Sequence, residues 1–299
     1  MRWLLGSGSF SDVFLVEMAS SSSGKTQAAL KRLHDSMLDN LDSRSKVAAE
    51  VLQYELRILT QIPRHENIIR LQGVSKGFWD EPKEGFLLFE LLSETLHTRI
   101  FRWQQSLRFA KERVNWWKRR ALCREVEVRE QLSRIRHTAV GIARALEFLH
   151  AHNILYRDLK PTNIGFTSEG NVKLFDFGLA RLIDDPDKDR RLTWGAGTPR
   201  YMAPECATSQ QYGFPADVYS FGMLLWEIST LQRPFAFAST LEVLQRLVVS
   251  SRPSLRKITS KTVKELLKAC WSPTPDARPT MGLVRRQLEH HCQLRSSEE

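Results

Sequence analysis

The chain has 299 residues and 42% hydrophobic content, which is enough to bury a sizeable core in one two-lobed domain or in two ordinary domains. Its four cysteines lack CxxC spacing and no run of 18 apolar residues occurs, which disfavours a zinc site, a disulfide framework and a membrane span. The N-terminal apolar run is too short for a signal peptide, so we predict a soluble cytoplasmic protein, with access to the nucleus left open.

A glycine- and serine-rich segment follows the short apolar run at the N-terminus. Residues 6–13 have the sequence GSGSFSDV and precede a β-like stretch at residues 14–16. Glycines let backbone amides approach phosphate oxygens closely, and an aromatic side chain at the tip can cover them. A Gly–Ser run by itself is more often a flexible turn. Only five residues precede this segment, so the chain is either a fragment or begins at the edge of its domain. The residues assigned to a nucleotide-binding loop are Gly6, Ser7, Gly8, Ser9, Phe10, Ser11 and Val13.

A lysine at the end of a strand and a glutamate on a helix come next. Residues 27–31, QAALK, predict a strand that ends in Lys31, and residues 46–62 have helical periodicity. An isolated lysine on a strand is usually a solvated charge, but the helix offers a glutamate partner. Glu50 and Glu55 are both candidates. The family resemblance described below implies that Lys31 pairs with Glu55, with Glu50 as the alternative because helix registers inferred from sequence slip easily.

Two further strands precede a long stretch that favours helix. Residues 65–71 and 86–92 predict strands, the second of which leads into a connection between two lobes. From residue 93 to residue 140 there is no proline or glycine, which favours helix throughout. Apolar residues spaced by three and four between residues 132 and 149 mark the core face of one helix.

Most of the net charge of +10 lies between residues 98 and 137, where twelve Lys and Arg residues face four Glu residues. We call residues 99–129 the basic segment; it contains Trp103, Trp116 and Trp117. One interpretation is a docking surface for an acidic partner or for lipid headgroups. The other, which we favour, is a helical excursion that packs an apolar face on the rest of the domain. Nucleic acid is a disfavoured partner, because no recognised nucleic-acid motif accompanies the charge.

The most informative stretch runs from residue 156 to residue 178. It opens with YRDLKPTN and closes with DFG, and so places two carboxylates, an amide and a lysine close together. Each tripeptide alone could be a surface turn. The separations of 5 residues from Asp158 to Asn163 and 18 from Asp158 to Asp176 make chance improbable.

These motifs together resemble the protein kinase family. The sequence GTPRYMAPE at residues 197–205 and the ending CWSPTPDARPT at residues 270–280 resemble serine/threonine kinases, in particular the tyrosine-kinase-like group. The resemblance implies an α+β, bilobal kinase fold with a small β-rich N-lobe holding one helix and a larger, mainly α-helical C-lobe. The resemblance covers residues 6 to about 290, with only the basic segment unmatched. The domain it implies runs from residue 1 to residue 290, with the N-lobe at about 1–89, the hinge at about 90–93 and the C-lobe at about 94–290. The basic segment is an insertion in the C-lobe, and residues 291–299 are predicted to be a polar tail.

The resemblance also implies a role for each polar residue and the cofactors ATP and Mg²⁺. Asp158 would orient the acceptor hydroxyl and take its proton, and Lys160 would lie near the transferred phosphate. Asn163 and Asp176 would supply oxygen ligands for Mg²⁺, a hard cation. The residues assigned to nucleotide binding outside the glycine-rich loop are Ala29, Lys31, Glu90, Leu92, Asn163 and Asp176. Backbone groups from Glu90 to Leu92 would bind adenine, and Phe89 would guard the back of the pocket.

The segment from residue 181 to residue 200 resembles a kinase activation segment, and DLKP indicates Ser or Thr acceptors in a protein substrate. We predict that phosphorylation of Thr193 orders this segment, with Arg157 as phosphate ligand and Lys173 as a second charge. Thr198 is expected to contact Lys160 and Asp158.

Two further pairings follow from the same resemblance. Asp217, in the sequence DVYSFG, would bond the backbone of the catalytic loop. Arg278 would pair with Glu205.

The sequence departs from the commonest family pattern at three positions. Ser11 stands where the glycine-rich loop of the family has its third glycine, which makes that motif weaker. Tyr156 replaces the usual histidine, and its ring can still pack against Phe177. Gly165 stands where the family often has a leucine under adenine, which predicts weaker nucleotide binding by roughly 1 kcal/mol.

A pseudokinase scaffold is the alternative function. All five residues that phosphate transfer needs are nevertheless present: Lys31, Glu55, Asp158, Asn163 and Asp176.

Overall fold

Strands dominate the first third of the chain and helices the remainder. The computed structural model describes residues 3–20, 24–37, 43–78, 85–112, 119–183, 197–208, 212–248 and 251–296. Within them, the predicted bilobal α+β architecture is confirmed.

The N-lobe is built on a five-stranded antiparallel sheet with the order β1-β2-β3-β5-β4. Its strands are β1 (Trp3–Ser7), β2 (Ser11–Ser20), β3 (Gly24–Leu33), β4 (Leu71–Val74) and β5 (Phe86–Glu90). The β2–β3 hairpin is the longest pairing and brings Val13 opposite Lys31. Since β1 and β2 pair on either side of residues 8–10, the glycine-rich loop is a turn between two strands of this sheet.

The helix predicted at residues 46–62 is α1 (Ser43–Gln61), which follows a 3₁₀ turn at Asp35–Met37. Its buried face carries Ala48, Leu52 and Leu56, spaced as expected for an amphipathic helix. Glu55 lies on this buried face with only 1% of its surface exposed. A carboxylate is rarely buried so deeply unless it has a partner, so the helix already indicates a functional role for Glu55.

The C-lobe is organised around one central helix. Its helices are α2 (Leu96–Glu112), α3 (Arg119–Arg134), α4 (Val140–Ala151), α5 (Pro204–Ala207), α6 (Phe214–Thr230), α7 (Thr240–Val248), α8 (Lys261–Cys270) and α9 (Met281–Ser296). Helix α6 is buried on every face from Ala216 to Ser229, as expected of a helix that is apolar all round. At Gly222 a β-carbon would lie 2.8 Å from Cβ of Cys270, so glycine permits α6 and α8 to pack closely. No helix of the described residues is both long and apolar enough to cross a bilayer.

Short strands in the C-lobe flank the two loops that hold Asp158, Lys160, Asn163 and Asp176. They are β6 (Glu94–Thr95), β7 (Ile154–Leu155), β8 (Ile164–Phe166), β9 (Val172–Leu174) and β10 (Arg181–Leu182). Strands β6, β8 and β9 form one small sheet, and β7 pairs with β10. A parallel bridge from Ile68 to Leu174 ties the loop before β4 to β9 and so connects the two lobes. The catalytic loop lies between β7 and β8, and the DFG turn follows β9.

The basic segment is helical where the structure describes it, and one face of its first helix packs on the C-lobe through Ile100, Trp103 and Leu107, while Phe101 and Phe109 are exposed. Arg99 and Arg102 both pair with Glu94. Trp103 packs against the core, and Arg134, just beyond the segment, is buried and donates to the carbonyl of Ile228 over 3.0 Å. These arginines serve contacts within the lobe. The less favoured interpretation, a docking surface for an acidic partner, gains no support from them, and Trp116 and Trp117 lie outside the described residues.

The C-terminal region differs from the predicted polar tail. Helix α9 continues through residues 291–296, and His291 and Cys292 are buried. Arg136 lies in the π-helical turn at Ile135–Ala139 that joins α3 to α4, and it donates to the carbonyl of Cys292 over 2.9 Å, which fixes this end of α9 to that turn. The polar composition of residues 291–299 suggested an unstructured tail, but the helix continues to residue 296 because one of its faces is buried against the lobe.

Candidate active site

A cleft of about 1010 Å³ lies between the sheet of the N-lobe and the C-lobe. Every residue predicted for the site lines this cleft: Gly6, Ser7, Gly8, Ser9, Phe10, Ser11, Val13, Ala29, Lys31, Glu55, Glu90, Leu92, Asp158, Lys160, Asn163 and Asp176. The sequence prediction therefore brought together residues from both lobes that are up to 170 positions apart.

Lys31 joins the two lobes through a pair of carboxylates. Its ammonium lies 2.6 Å from Oε2 of Glu55 and 2.9 Å from Oδ1 of Asp176. The other oxygen of Glu55 accepts a hydrogen bond from the backbone N–H of Phe177 over 3.2 Å. Burial opposes the charge of Lys31, but Asp176 and Glu55 outweigh it and raise the lysine pKa. Lys31 in turn lowers the pKa of Asp176, which keeps that carboxylate ionised.

The backbone at the two loops adopts conformations that few residues other than glycine take. Asp176 has φ of 64° and Arg157 has φ of 72°. Two backbone N–H groups, those of Tyr156 and Arg157, each donate over 2.8 Å to the buried carboxylate of Asp217, as predicted. The ring of Phe177 meets Tyr156 edge-on at 5.4 Å. Strain held by this many contacts is typical of a functional site rather than of a surface turn.

The catalytic loop gathers donors around Asp158. Lys160 lies 2.5 Å from Oδ2, and the amide nitrogen of Asn163 donates to the same oxygen over 2.9 Å. The hydroxyl of Thr198 donates to Oδ1 over 2.8 Å, which confirms the predicted contact between Thr198 and Asp158. The Asp158 side chain is thereby held in one orientation beside Lys160 and Asn163.

The glycine-rich loop is closed by a tight turn. The N–H of Gly8 donates to the carbonyl of Ser11 over 2.8 Å, and Ser11 begins β2 opposite Leu33. Ser11 is extended backbone, which any residue adopts, so the loss of the family's third glycine costs no backbone strain here. Phe10, at the tip, packs against the core.

A family model described as the protein kinase domain matches residues 2–291 of the chain. The chain belongs to the protein kinase family. Members of this family use ATP and Mg²⁺.

Curated relatives share the match over different parts of the kinase domain. A probable serine/threonine-protein kinase of Dictyostelium discoideum is 40% identical over 147 residues, which are 48% of this chain and 10% of the relative. The serine/threonine-protein kinase Nek4 of Mus musculus is 29% identical over 97% of this chain and 32% of its own length. The dual specificity protein kinase shkB of D. discoideum is 37% identical over 51% of this chain and 23% of its own. The chain thus spans a third or less of these relatives.

The hinge of this kinase is anchored by the side chain of Glu90. Its carboxylate accepts a hydrogen bond from the backbone N–H of Arg70 over 2.7 Å and pairs with Lys173 at 3.0 Å. The prediction that Lys173 offers a second charge to an activation-segment phosphate is wrong, because its ammonium is engaged at the hinge. Phe89 is buried at the back of the cleft.

Leu92 occupies the space that the missing side chain at Gly165 leaves. A β-carbon at Gly165 would lie 2.5 Å from Cδ1 of Leu92, and 3.3 Å from its Cβ. Leu92 also lines the cleft. A hinge leucine thus lies where the missing side chain would be, and the weaker nucleotide binding expected from Gly165 stays a prediction.

Arg157, predicted to bind an activation-segment phosphate, is buried. Its Nε donates to the carbonyl of Leu179 over 2.5 Å, and Nη1 donates to the hydroxyl of Tyr212 over 3.1 Å. Its Nη2 has no hydrogen-bond partner among the described residues. Thr193, the predicted phosphorylation site, lies outside the described residues.

The predicted pair of Glu205 and Arg278 is present. Both guanidinium nitrogens bind the carboxylate, at 2.5 and 2.9 Å, and both residues are buried. A bidentate pair of this kind fixes geometry as well as charge. It anchors α5, which begins within the APE motif, to the segment between α8 and α9.

Sequence reasoning missed two residues that contact the site. His34 and Asp12 bind each other and the glycine-rich loop. Both lie within three residues of assigned positions, but nothing in their spacing indicated that their side chains meet. A histidine just after the strand of Lys31 is the signal that was available.

Proposed function

We propose that this chain is an ATP- and Mg²⁺-dependent protein kinase that phosphorylates Ser or Thr hydroxyls of protein substrates. The observation that carries the proposal is the convergence of Lys31, Glu55 and Asp176 with Asp158 and Asn163 in one cleft. The names of the curated relatives support the choice of acceptor. A scaffold would have no need to keep all of these groups aligned.

The residues present fit a nucleotide-bound Mg²⁺. Asp176 is a carboxylate whose pKa is lowered, chiefly by Lys31, so it is ionised when a cation arrives. The amide nitrogen of Asn163 is used in bonds to Asp158, which leaves the amide oxygen for a metal. Oxygen ligands of this kind, completed by phosphate oxygens and water, are what Mg²⁺ prefers. When bound, Mg²⁺–ATP supplies the phosphoryl group and neutralises part of its charge.

The roles of the other residues follow from where they lie. Lys31 offers its ammonium to the phosphates, and Glu55 holds it in place. Backbone amides of the glycine-rich loop cover the phosphates from above, while the backbone from Glu90 to Leu92 bonds the adenine. Val13 and Ala29 supply apolar contact in the N-lobe part of the cleft.

Asp158 holds the acceptor hydroxyl and receives its proton. Its Oδ2 is occupied by Lys160 and Asn163, and its Oδ1 accepts only the hydroxyl of Thr198 among the described residues. A substrate hydroxyl therefore approaches Oδ1, where Thr198 marks the position of a bound O–H group. Lys160, at the edge of the same carboxylate, stabilises charge that develops on the transferred phosphate.

Regulation by phosphorylation of the activation segment is part of the proposal. It is supported by the buried Nη2 of Arg157, which a phosphate oxygen would satisfy. The proposed acceptor is Thr193. The proposed location is the cytoplasm, where ATP and Mg²⁺ are available.

The test is phosphate transfer from radiolabelled ATP to a generic basic protein and to the chain itself, with Mg²⁺. We compare wild type with Asp158→Asn and with Asp276→Asn, which makes the same chemical change at an exposed position. We expect Asp158→Asn to lower transfer roughly 10³-fold because the proton acceptor is lost, and Asp276→Asn to leave it unchanged.

Mapping the phosphorylated residues identifies the acceptor class. Label on Ser and Thr supports the proposal, whereas label on Tyr as well would make the kinase dual-specific, like the relative shkB by its name. Folded protein that is phosphorylated at Thr193, binds ATP and transfers no phosphate to any acceptor would overturn the catalytic proposal in favour of a scaffold.

A further inference from the structure

His34 holds the glycine-rich loop at two points. It follows β3 directly, and its Nε2 lies 2.9 Å from the carbonyl oxygen of Gly8, at the turn. Its Nδ1 lies 3.0 Å from Oδ2 of Asp12, at the start of β2. The backbone N–H of His34 also donates to the carbonyl of Phe10 over 3.0 Å. One residue thus contacts the loop at its tip and at its base.

Only one protonation state of the His34 ring can form both hydrogen bonds. A carbonyl oxygen and a carboxylate oxygen only accept hydrogen bonds. Both ring nitrogens of His34 must therefore carry a proton, which is the state of the imidazolium cation. A neutral imidazole has one N–H and keeps one contact at most.

We infer that His34 is a positioning residue that clamps the glycine-rich loop onto the nucleotide when its ring is doubly protonated, and releases the loop when it loses a proton. The inference rests on the proposed function, because the loop matters only if a nucleotide binds beneath it. The inferred role is orientation, since His34 does not line the cleft.

The effect on the nucleotide passes through one peptide bond. In a trans peptide the C=O of one residue and the N–H of the next point in opposite directions. While the imidazolium holds the carbonyl of Gly8, the N–H of Ser9 is turned away from His34. A fixed amide in this loop is a pre-oriented phosphate ligand, and a freely rotating one must first be ordered.

The surroundings favour the charged ring. Burial lowers the pKa of His34, but the hydrogen bonds to Asp12 and Gly8 outweigh it and raise the pKa. Burial likewise opposes ionisation of Asp12, yet hydrogen bonds from His34 and Ser7 lower its pKa. Arg44, at the start of α1, opposes the charge on His34, and Arg32 on β3, which pairs with Asp35 at 2.8 Å, lowers the pKa of Asp12.

The direction of the pH effect follows from these signs. The clamp is complete while His34 is protonated and is lost as pH rises through its raised pKa, above the ordinary value of about 6.5. Loss of one such hydrogen bond corresponds to roughly a three- to tenfold decrease in nucleotide affinity. In turnover, the KM for ATP rises with pH while kcat changes little, because Asp158 and Lys160 are untouched.

The experiment measures binding of MgADP to the full chain by titration calorimetry at pH 6, 7, 8 and 9. The variants are wild type, His34→Gln, Asp12→Asn and, as a matched control, His290→Gln on the exposed face of α9. Ionisation of ADP itself affects every variant equally, so the ratio of wild-type to variant affinity isolates His34. Melting temperatures at each pH identify any variant that is not folded.

We expect the affinity ratio of wild type to His34→Gln to fall from roughly three- to tenfold at pH 6 towards one at pH 9. The ratio to His290→Gln stays at one throughout. Asp12→Asn removes the charge that retains the proton, so its affinity declines at a lower pH than that of wild type.

Other outcomes separate the clamp from the proposed function. A ratio to His34→Gln that is independent of pH, in proteins that bind MgADP, overturns the clamp and leaves the kinase proposal standing. Absence of MgADP binding by folded wild type at every pH overturns the kinase proposal and the clamp with it. Nitrogen chemical shifts of the His34 ring give an independent check: a singly protonated ring at pH 6 contradicts the clamp even if Asp12→Asn or His34→Gln fails to fold.

Discussion

Two cavities of similar volume differ in how their charges are paired. The cleft measures about 1010 Å³, and a second cavity of about 1160 Å³ lies between α4, α9 and the turn after β8. In the second cavity Arg144 pairs with Glu66 and Glu289, and Arg285 pairs with Glu147 and Glu289. These side chains are between 23% and 68% exposed. In the cleft, the side chain of Lys31 is 13% exposed and that of Glu55 only 2%, whereas Asp176, which opens towards the cleft, is 42% exposed.

The comparison shows that size and charge alone do not identify a site. The pairs in the second cavity are fully or partly exposed to solvent, and such pairs contribute roughly 0–1 kcal/mol each. In the cleft, Lys31 serves two carboxylates from different lobes, and desolvation makes their mutual field stronger. Charged groups held in this way shift each other's pKa values, and such groups are typical of sites that bind a charged ligand. Burial and convergence therefore distinguish the cleft from the larger cavity.

The most direct way to break this comparison is to remove one cation from each cavity. Lys31→Met should lower kcat/KM for phosphate transfer by more than about 100-fold, because a pre-oriented cation at the phosphates is lost. Arg285→Met is the matched change in the second cavity, and its activity should stay within about twofold of wild type, since exposed pairs contribute little. Steady-state kinetics with ATP and Mg²⁺ measure both.

Stability provides the control for this pair. Lys31→Met leaves Glu55 and Asp176 without their partner, which costs about 3–5 kcal/mol in the free energy of unfolding, so activity is compared below the melting temperature of the variant. If Arg285→Met lowered activity as much as Lys31→Met, the second cavity would be coupled to catalysis and the distinction drawn here would be wrong.

The residues predicted correctly share one property. Lys31 with Glu55, Asp217 with the catalytic loop, and Arg278 with Glu205 are pairs whose motifs are distinctive enough to be assigned from sequence. What the sequence does not encode in a recognisable form is the direction of neighbouring side chains. Lys173 pairs with Glu90 at the hinge, which its position in the sequence did not indicate. The end of α9 has a polar composition, yet His291 and Cys292 are buried against the lobe.

Glu227 extends the comparison to a buried carboxylate that, unlike Glu55, is hydrogen-bonded to a neutral hydroxyl instead of a cation. It accepts a hydrogen bond from the hydroxyl of Tyr201 over 2.6 Å, and burial raises its pKa to about 7. A carboxyl whose pKa is raised on folding contributes stability below its unfolded pKa of about 4.5, and that contribution is lost as pH rises to about 7.

Glu227→Gln removes this titration while keeping a hydrogen-bond acceptor. Relative to the variant, wild type should lose up to about 3 kcal/mol of unfolding free energy between pH 4.5 and pH 7.5. Urea unfolding at pH steps across this range measures the difference, and titration of all other groups cancels. A difference that stays constant with pH would mean that Glu227 is ionised in the folded protein throughout, as a paired carboxylate is.

The smallest effect concerns the floor of the cleft, where packing rather than charge is at stake. Because a β-carbon at Gly165 would lie 2.5 Å from Leu92, Gly165→Leu should displace the hinge leucine and weaken MgADP binding roughly tenfold. Leu92→Ala leaves the floor open and should weaken binding about fivefold through lost apolar contact. Calorimetric titration with MgADP gives each affinity.

The double variant decides between two accounts of this glycine. If Leu92 fills the space over Gly165, the pair Leu92→Ala and Gly165→Leu should restore affinity to within about threefold of wild type, with a coupling energy of about 1 kcal/mol or more. Tighter binding by Gly165→Leu alone would instead mean that the floor is incomplete in wild type. The weaker nucleotide binding expected from Gly165 would then be confirmed, and Leu92 would not replace the apolar contact that the missing side chain would have made.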